Sequence, residues 1–204
     1  MTTPNGNAPA SLTIERIETI PIRVPLNEVY RGSHYKMTHR STVITRVHTA
    51  EGIVGEAYVG DEDHAIEEIQ AIVANEITPA LIGQDAYATE RAWELGLPVT
   101  RDILRDRRVS LVALAGVDSA IWDAVGKALC TPLWKLWGGY RNSIPAISIG
   151  GYYSANANIA AEVEAVRAAG FAGMKFKIGG LTPPEDAERV RKAVAAAGDD
   201  FRIA

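Results

Sequence analysis

Apolar and polar residues in the first half of the chain follow first the period of strands and then that of helices. Strict alternation predicts a half-buried strand around Ile20, Ile22, Val24 and Leu26. The stretch STVITRVHTAEGIVGEAYVG predicts two more strands, with a turn at Glu51-Gly52. Apolar spacings of three and four then predict helices over about 63–81, 85–95 and 107–129. Together these elements predict a three-stranded antiparallel meander with helices, an α+β arrangement.

The order of elements changes after Gly139. Three segments are typical of strands, SIPAISIGG, FAGMKFKIGG and DDFRIA, and two amphipathic helical segments separate them. Strand, helix, strand, helix, strand at this spacing predicts parallel βαβ units. We therefore expect a flexible lead-in over residues 1–11, an α+β domain over 12–139 and a partial, truncated barrel over 140–204.

The distribution of side chains between the faces of these strands favours a barrel. We expect apolar bulk on the helix-covered face, at Ile147, Ile149, Met174, Phe176, Ile178, Phe201 and Ile203. Small or charged residues are expected on the other face. A doubly wound sheet has helices on both faces and needs apolar residues on both, whereas a barrel has helices on one face only. The prediction is the first βαβαβ part of a TIM-like barrel.

Two lysines, Lys175 and Lys177, stand one residue apart in GMKFKIGG at the C-terminal end of the second of these strands. Lysines on a strand often only protect a solvated edge. However, parallel barrels keep their chemistry at this end of the strands. Two ammonium groups in a partly desolvated cavity repel each other, which favours a neutral amine that can act as a general base. The pair suits removal of a proton next to a carboxylate, and the resulting enediolate implies a divalent metal.

Composition and charge narrow the possible partners. The formal net charge of −4 argues against a nucleic-acid binder, which usually shows a basic face. The single cysteine, Cys130, cannot form an internal disulfide and fits a reducing, cytoplasmic compartment. No membrane segment or signal peptide is expected, and the four histidines show no helical metal-ligand spacing.

Three segments resemble a known family: VHTAEGIVGEA, GVDSAIWDAVGKALCTPLWKLWGG and MKFKIG. Over about Ser11 to Ala204 the chain is similar to the N-terminal half of an enolase-superfamily protein of the mandelate racemase/muconate lactonizing enzyme type. The resemblance implies an α+β capping domain followed by a (β/α)7β barrel. It also implies that Lys177 is the base, that Lys175 beside it contacts the substrate carboxylate, and that the protein is a homo-oligomer.

The resemblance further implies two capping loops that close over the barrel mouth, here roughly residues 27–40 and 58–64. The candidate substrate contacts are Tyr30, Arg31, His34, Tyr35 and Lys36. The cofactor implied is Mg²⁺, with its carboxylate ligands expected beyond residue 204 and therefore no metal ligand in this chain.

Several functions remain open at this point. Dehydration of a hydroxy or sugar acid is the first choice, because the polar capping loop suits a polyol substrate. Racemisation or epimerisation, and cycloisomerisation, share the same proton abstraction. Alternatives of a different class are a non-catalytic fragment and an ordinary α/β binding domain in which the lysine pair is structural.

Overall fold

The computed structural model describes residues 8–60, 64–154 and 157–204. Most of the predicted lead-in and part of the predicted 58–64 loop therefore lie outside the described residues. Contacts group the chain into two compact units. The first contains the chain up to Val24 together with His39–Tyr140, and the second contains Pro25–Thr38 together with Arg141–Ala204.

The predicted meander is confirmed as a three-stranded sheet. Its strands are β1 (Ile14–Arg31), β2 (Lys36–Thr49) and β3 (Val54–Gly60), in the order β1-β2-β3. The pairing of β2 with β3 is antiparallel and places Thr42 opposite Gly60. The turn predicted at Glu51-Gly52 joins β2 to β3, and Gly52 adopts a positive φ of 81° there, which a glycine tolerates without strain.

The helices that follow β3 lie close to the predicted positions. They are α1 (Ile66–Ile72), a π-helical turn (Val73–Ile77), α2 (Thr78–Leu81), α3 (Thr89–Gly96), a 3-10 turn (Leu97–Arg101), α4 (Arg107–Ala128) and α5 (Leu133–Leu136). The apolar residues Ile69, Val73, Ile77 and Leu81, which recur at spacings of three and four, are buried. The amphipathic period therefore predicted both the helices and the faces that they bury.

Helix α4 packs directly on strand β3, because a glycine allows close approach. A Cβ added to Gly55 would lie 1.9 Å from the carbonyl oxygen of Ala120. Within the described residues, α4 is the one helix long and apolar enough to cross a membrane, by length and composition alone, contrary to the expectation of no such stretch. Of its apolar stretch, 56% is buried inside the fold. The core helix of a soluble protein can have the same length and composition.

The second unit contains the predicted parallel sheet. Strands β4 (Ile147–Gly150), β5 (Gly173–Phe176) and β6 (Arg202–Ile203) pair in that order, and helices α6 (Ile159–Ala168) and α7 (Pro183–Ala197) connect them. One core forms between the helices and the sheet, from Ile159, Val163, Met174, Phe176, Ala193, Ala197 and Phe201. The capping domain followed by the start of a (β/α) barrel is thereby confirmed as the fold class.

The predicted faces of β4 are wrong. Ile147 pairs with Gly173 and Ile149 pairs with Lys175, so both isoleucines share the face of the lysine and not that of Met174. They are 46% and 58% exposed. Ser148 and Gly150 face the helices instead. A Cβ on Gly150 would lie 2.2 Å from Oε1 of Glu162 and 2.8 Å from Cε of Met174, so these two flexible side chains occupy the space beside the glycine.

Ile178 is also not part of the buried apolar face that was predicted for β5. It is 57% exposed, whereas Met174 and Phe176 are 0% and 7% exposed. The strand ends at Phe176. Alternation along a strand therefore no longer sets the direction of side chains beyond that residue.

Candidate functional site

The candidate site begins at the C-terminal end of β5, where the two predicted catalytic lysines stand. Lys175 is the third residue of the strand and is exposed, and Lys177 follows the strand and is half-buried. Met174 and Phe176, which alternate with them, are buried against α6 and α7. Lys175 therefore projects from the face of the sheet that carries no helix, and the chain turns away directly after Lys177.

An aromatic pair lies beside Lys177. The Nζ atom of Lys177 is 5.4 Å from the centroid of the Tyr152 ring, and that ring meets the Tyr30 ring edge to face with centroids 5.0 Å apart. Such ring faces attract ammonium groups. Tyr30, a predicted substrate contact, is thus connected to the predicted base through one intervening side chain.

The other predicted substrate contacts surround the turn between β1 and β2. The Gly32 N–H donates to the Tyr35 carbonyl at 3.0 Å and closes this turn. A cavity of about 440 Å³ is lined by Arg31, Gly32, Ser33, His34, Tyr35, Lys36, Tyr153 and Gly180. Arg31, His34, Tyr35 and Lys36 are all exposed. The structure brings all four to one cavity, together with residues that follow β4 and β5.

Two hydrogen bonds hold the turn against the barrel strands. The Tyr153 N–H, just after β4, donates to the Arg31 carbonyl at 2.9 Å. The Ser33 hydroxyl donates to the Ile178 carbonyl, just after β5. The turn is therefore fixed to the ends of both strands. Of the second predicted loop, Tyr58 and His64 are exposed and belong to the first unit.

A buried acid stands behind the loop that follows Lys177. Asp186 is 8% exposed, and its carboxylate accepts hydrogen bonds from Gly179 N–H at 2.6 Å and from the Tyr153 hydroxyl at 3.0 Å. Burial raises the pKa of Asp186, but these hydrogen bonds and one from Arg189 outweigh burial and hold the pKa below its usual value. The pKa of Tyr153 is raised by burial and by the neighbouring carboxylate.

Sequence reasoning missed four residues of this arrangement: Tyr152, Tyr153, Asp186 and Arg189. The two tyrosines had a usable signal, because they follow the end of β4 in GGYYS, where barrels place functional groups. Asp186 and Arg189 had none. In PPEDAERVRK they are indistinguishable from the exposed charges Glu188 and Arg191 on the same helix.

Among the residues that the structure describes, no group of three His, Cys, Asp or Glu side chains is placed to hold a metal ion. The described residues therefore do not form the metal site that the proton-abstraction chemistry implies. The lysines, the aromatic pair and the polar cavity can hold an anionic substrate and move a proton.

Comparison with known proteins gives the family. Residues 16–138 match the model of the mandelate racemase / muconate lactonizing enzyme N-terminal domain. The arabinonate dehydratase of Saccharolobus solfataricus is 31% identical over 79% of this chain and 44% of its own length. A chloromuconate cycloisomerase of Delftia acidovorans is 32% identical over 94% of this chain and 52% of its own. A racemase also occurs among the relatives.

Solved structures agree with this assignment. A mandelate racemase/muconate lactonizing enzyme with 61% identity superposes with a TM-score of 0.89, over 94% of this chain and 52% of that chain. Another, from a marine actinobacterium in complex with magnesium, has 57% identity and a TM-score of 0.83, over 94% and 51%. The chain spans about half the length of the relatives it matches. On its fold and its sequence, the chain belongs to the mandelate racemase/muconate lactonizing enzyme family of the enolase superfamily.

Proposed function

We propose that this chain contributes to an enzyme that removes the α-proton of a carboxylate substrate, with Lys177 as the base and Lys175 as a contact of the substrate carboxylate. The supporting observation is the position of the pair at the C-terminal end of a parallel strand, with Lys175 on the face without helices and Lys177 directly after the strand. Tyr152 supports the role of Lys177, because its ring attracts the ammonium that the base becomes once it holds the proton.

The substrate we favour is a hydroxy or sugar acid, and the reaction is its dehydration. The cavity beside the β1–β2 turn is lined by hydroxyl, imidazole, guanidinium and ammonium groups, which suit a polyol with a carboxylate. A relative that is an arabinonate dehydratase supports this choice. Tyr30, Arg31, His34, Tyr35 and Lys36 are the proposed substrate contacts. Racemisation or epimerisation, and cycloisomerisation, are the alternatives, since relatives carry out such reactions.

Mg²⁺ is the proposed cofactor of the whole enzyme, with ligands beyond residue 204. A neighbour crystallised in complex with magnesium supports this proposal. A homo-oligomer and a cytoplasmic location also remain predictions.

The test uses the protein with its complete barrel, a panel of sugar and hydroxy acids, and D₂O as solvent. Lys177→Ala is expected to lower turnover by about 10²–10⁴-fold, the usual contribution of a general base, and to abolish deuterium exchange at the α-carbon. Lys192→Ala is the control, because Lys192 is an exposed lysine on α7 with a weak contact to Glu188. Retained α-proton exchange in Lys177→Ala would refute the assignment of the base.

The product distinguishes the three reactions. A 2-keto acid indicates dehydration, inversion at the α-carbon indicates racemisation or epimerisation, and a lactone indicates cycloisomerisation. A different class of function, a non-catalytic fragment, is addressed by calorimetric titration of the 204-residue chain with Mg²⁺. A tight stoichiometric site would refute that alternative.

A further inference from the structure

Helix α7 contains a buried ion pair that its sequence does not distinguish from exposed ones. Asp186 and Arg189 lie 3.3 Å apart, with side chains only 11% and 13% exposed. Glu188 and Arg191 form the same i,i+3 pair on the same helix with 49% and 67% exposure. A buried ion pair is tolerated only if its remaining donors and acceptors are also hydrogen-bonded. The further hydrogen bonds of Asp186 and Arg189 therefore show which backbone segments the pair holds in place.

Arg189 spans the ends of two barrel strands. One nitrogen of its guanidinium, Nη1, donates to the Lys177 carbonyl at 2.8 Å, and the other, Nη2, donates to the Gly151 carbonyl at 2.9 Å. These carbonyls follow β5 and β4, respectively. The guanidinium is planar and its donors are fixed relative to one another, so the two bonds set the separation of the two chain segments. The backbone of the proposed base is thus directly bound to a buried side chain.

Tyr153 completes the arrangement. Its hydroxyl donates to Asp186 at 3.0 Å and accepts from Gly180 N–H at 2.9 Å, while its ring lies 4.4 Å from the guanidinium carbon of Arg189. Gly180 must be a glycine for this contact, because a Cβ there would lie 2.5 Å from the ring. The Tyr153 N–H holds the Arg31 carbonyl. One residue therefore joins the loop after Lys177 to the turn that carries the proposed substrate contacts.

We propose that Arg189 is a positioning residue for Lys177, and that Asp186 and Tyr153 hold it in place and connect it to the β1–β2 turn. The proposal rests on the proposed function, because it gives Arg189 a role in proton abstraction without substrate contact. Loss of Arg189 is expected to lower the turnover rate, because displacing a catalytic group by about 1 Å can cost about 10²-fold in rate. Loss of Arg189 removes the guanidinium that bridges the Lys177 and Gly151 carbonyls, while the hydrogen bonds at Ile178 and Gly179 remain.

Three variants test this proposal in the complete enzyme. Arg189→Ala is expected to lower kcat about 10²-fold while KM stays within about threefold, because only the base is displaced. Arg189→Lys is expected not to restore kcat, since one ammonium group cannot replace a planar guanidinium that donates hydrogen bonds to two carbonyls. Arg191→Ala, which removes an exposed arginine two residues away, is the matched control and should retain wild-type kcat. An unchanged kcat in Arg189→Ala, or rescue by lysine, would overturn the proposal.

A second measurement does not depend on turnover. Amide hydrogen exchange of the 204-residue chain should be faster at Gly179 and Gly180 in Arg189→Ala than in Arg191→Ala. If Arg189→Ala fails to fold, Tyr153→Phe keeps the ring and removes only the hydroxyl, and should show the same faster exchange at Gly180. Unchanged exchange in the folded variants would refute the positioning of the loop.

The two proposals can fail separately. If the wild-type enzyme turns over no carboxylate while amide exchange behaves as expected, the proposed function fails and the loop contact stands.

Discussion

The contact between Gly55 and helix α4 gives the sharpest test of the capping fold. Gly55→Ala places a methyl group where a Cβ would be 1.9 Å from the Ala120 carbonyl oxygen and 2.8 Å from the Ala124 Cβ. Ordinary contact begins near 3.4 Å, so the oxygen lies about 1.5 Å too close. The Ala120 carbonyl oxygen and the Ala124 nitrogen, 2.6 Å away, belong to the helix backbone, which cannot rotate away as a flexible side chain would.

The expected cost of Gly55→Ala is the overpacking penalty, about 1–3 kcal/mol or more. For a chain of this length each kcal/mol shifts the melting temperature by about 2–4 °C. Gly60→Ala is the matched control, because it makes the same substitution in the same strand. A Cβ on Gly60 meets its nearest neighbour at 3.7 Å, which is ordinary contact. It should leave stability unchanged or raise it by up to about 1 kcal/mol, since alanine loses less backbone entropy.

Tryptophan fluorescence is the appropriate assay. The four tryptophans are Trp93, Trp122, Trp134 and Trp137, all in the first unit, so their emission reports on the unit that contains the contact. Urea titrations of both variants followed by this emission should separate the two midpoints. Equal midpoints for Gly55→Ala and Gly60→Ala would show that α4 does not lie this close to β3, and the packing argument would then be refuted.

Two further predictions concern the second unit. Met174→Ala removes a fully buried side chain between β5 and the helices and should destabilise this unit by about 2–5 kcal/mol, seen by far-UV circular dichroism with little change in the tryptophan midpoint. The lowered pKa of Asp186 means that its contribution to stability is complete above the unfolded value of about 3.9 and is lost as pH falls through the folded value. The protection factor of the Gly179 amide, which corrects its exchange rate for the intrinsic pH dependence, should therefore fall in acid, and an Asp186→Asn variant should lack this change.

The elements were predictable because their apolar period is strong. The helix over Arg107–Ala128 and the pair of strands around Glu51-Gly52 follow directly from spacing and turn chemistry. The length of β1 was not predictable, since its polar continuation to Arg31 is ordered by tertiary pairing with β2 and not by alternation. Local patterns report which residues can be buried, and tertiary pairing decides how far a strand continues.

The faces of β4 show why alternation alone is insufficient. Ile147 and Ile149 are bulky and apolar, so burial against helices was the natural prediction, but the register with β5 puts Ser148 and Gly150 on that side instead. The lysine pair was recognisable from its position beside a strand end. The ion pair of Asp186 and Arg189 was not, because burial of charges depends on partners that come from distant parts of the chain.

The grouping of Pro25–Thr38 with the second unit has a consequence for biosynthesis. Ser33 and Ile178, which are bonded in the folded protein, are 145 residues apart in sequence. At translation rates of about 5–20 residues per second, the β1–β2 turn leaves the ribosome on the order of ten seconds before its partner exists. During that interval the ends of two long strands lack the surface that holds them. Vectorial synthesis therefore favours early folding of the first unit, with the turn ordered last.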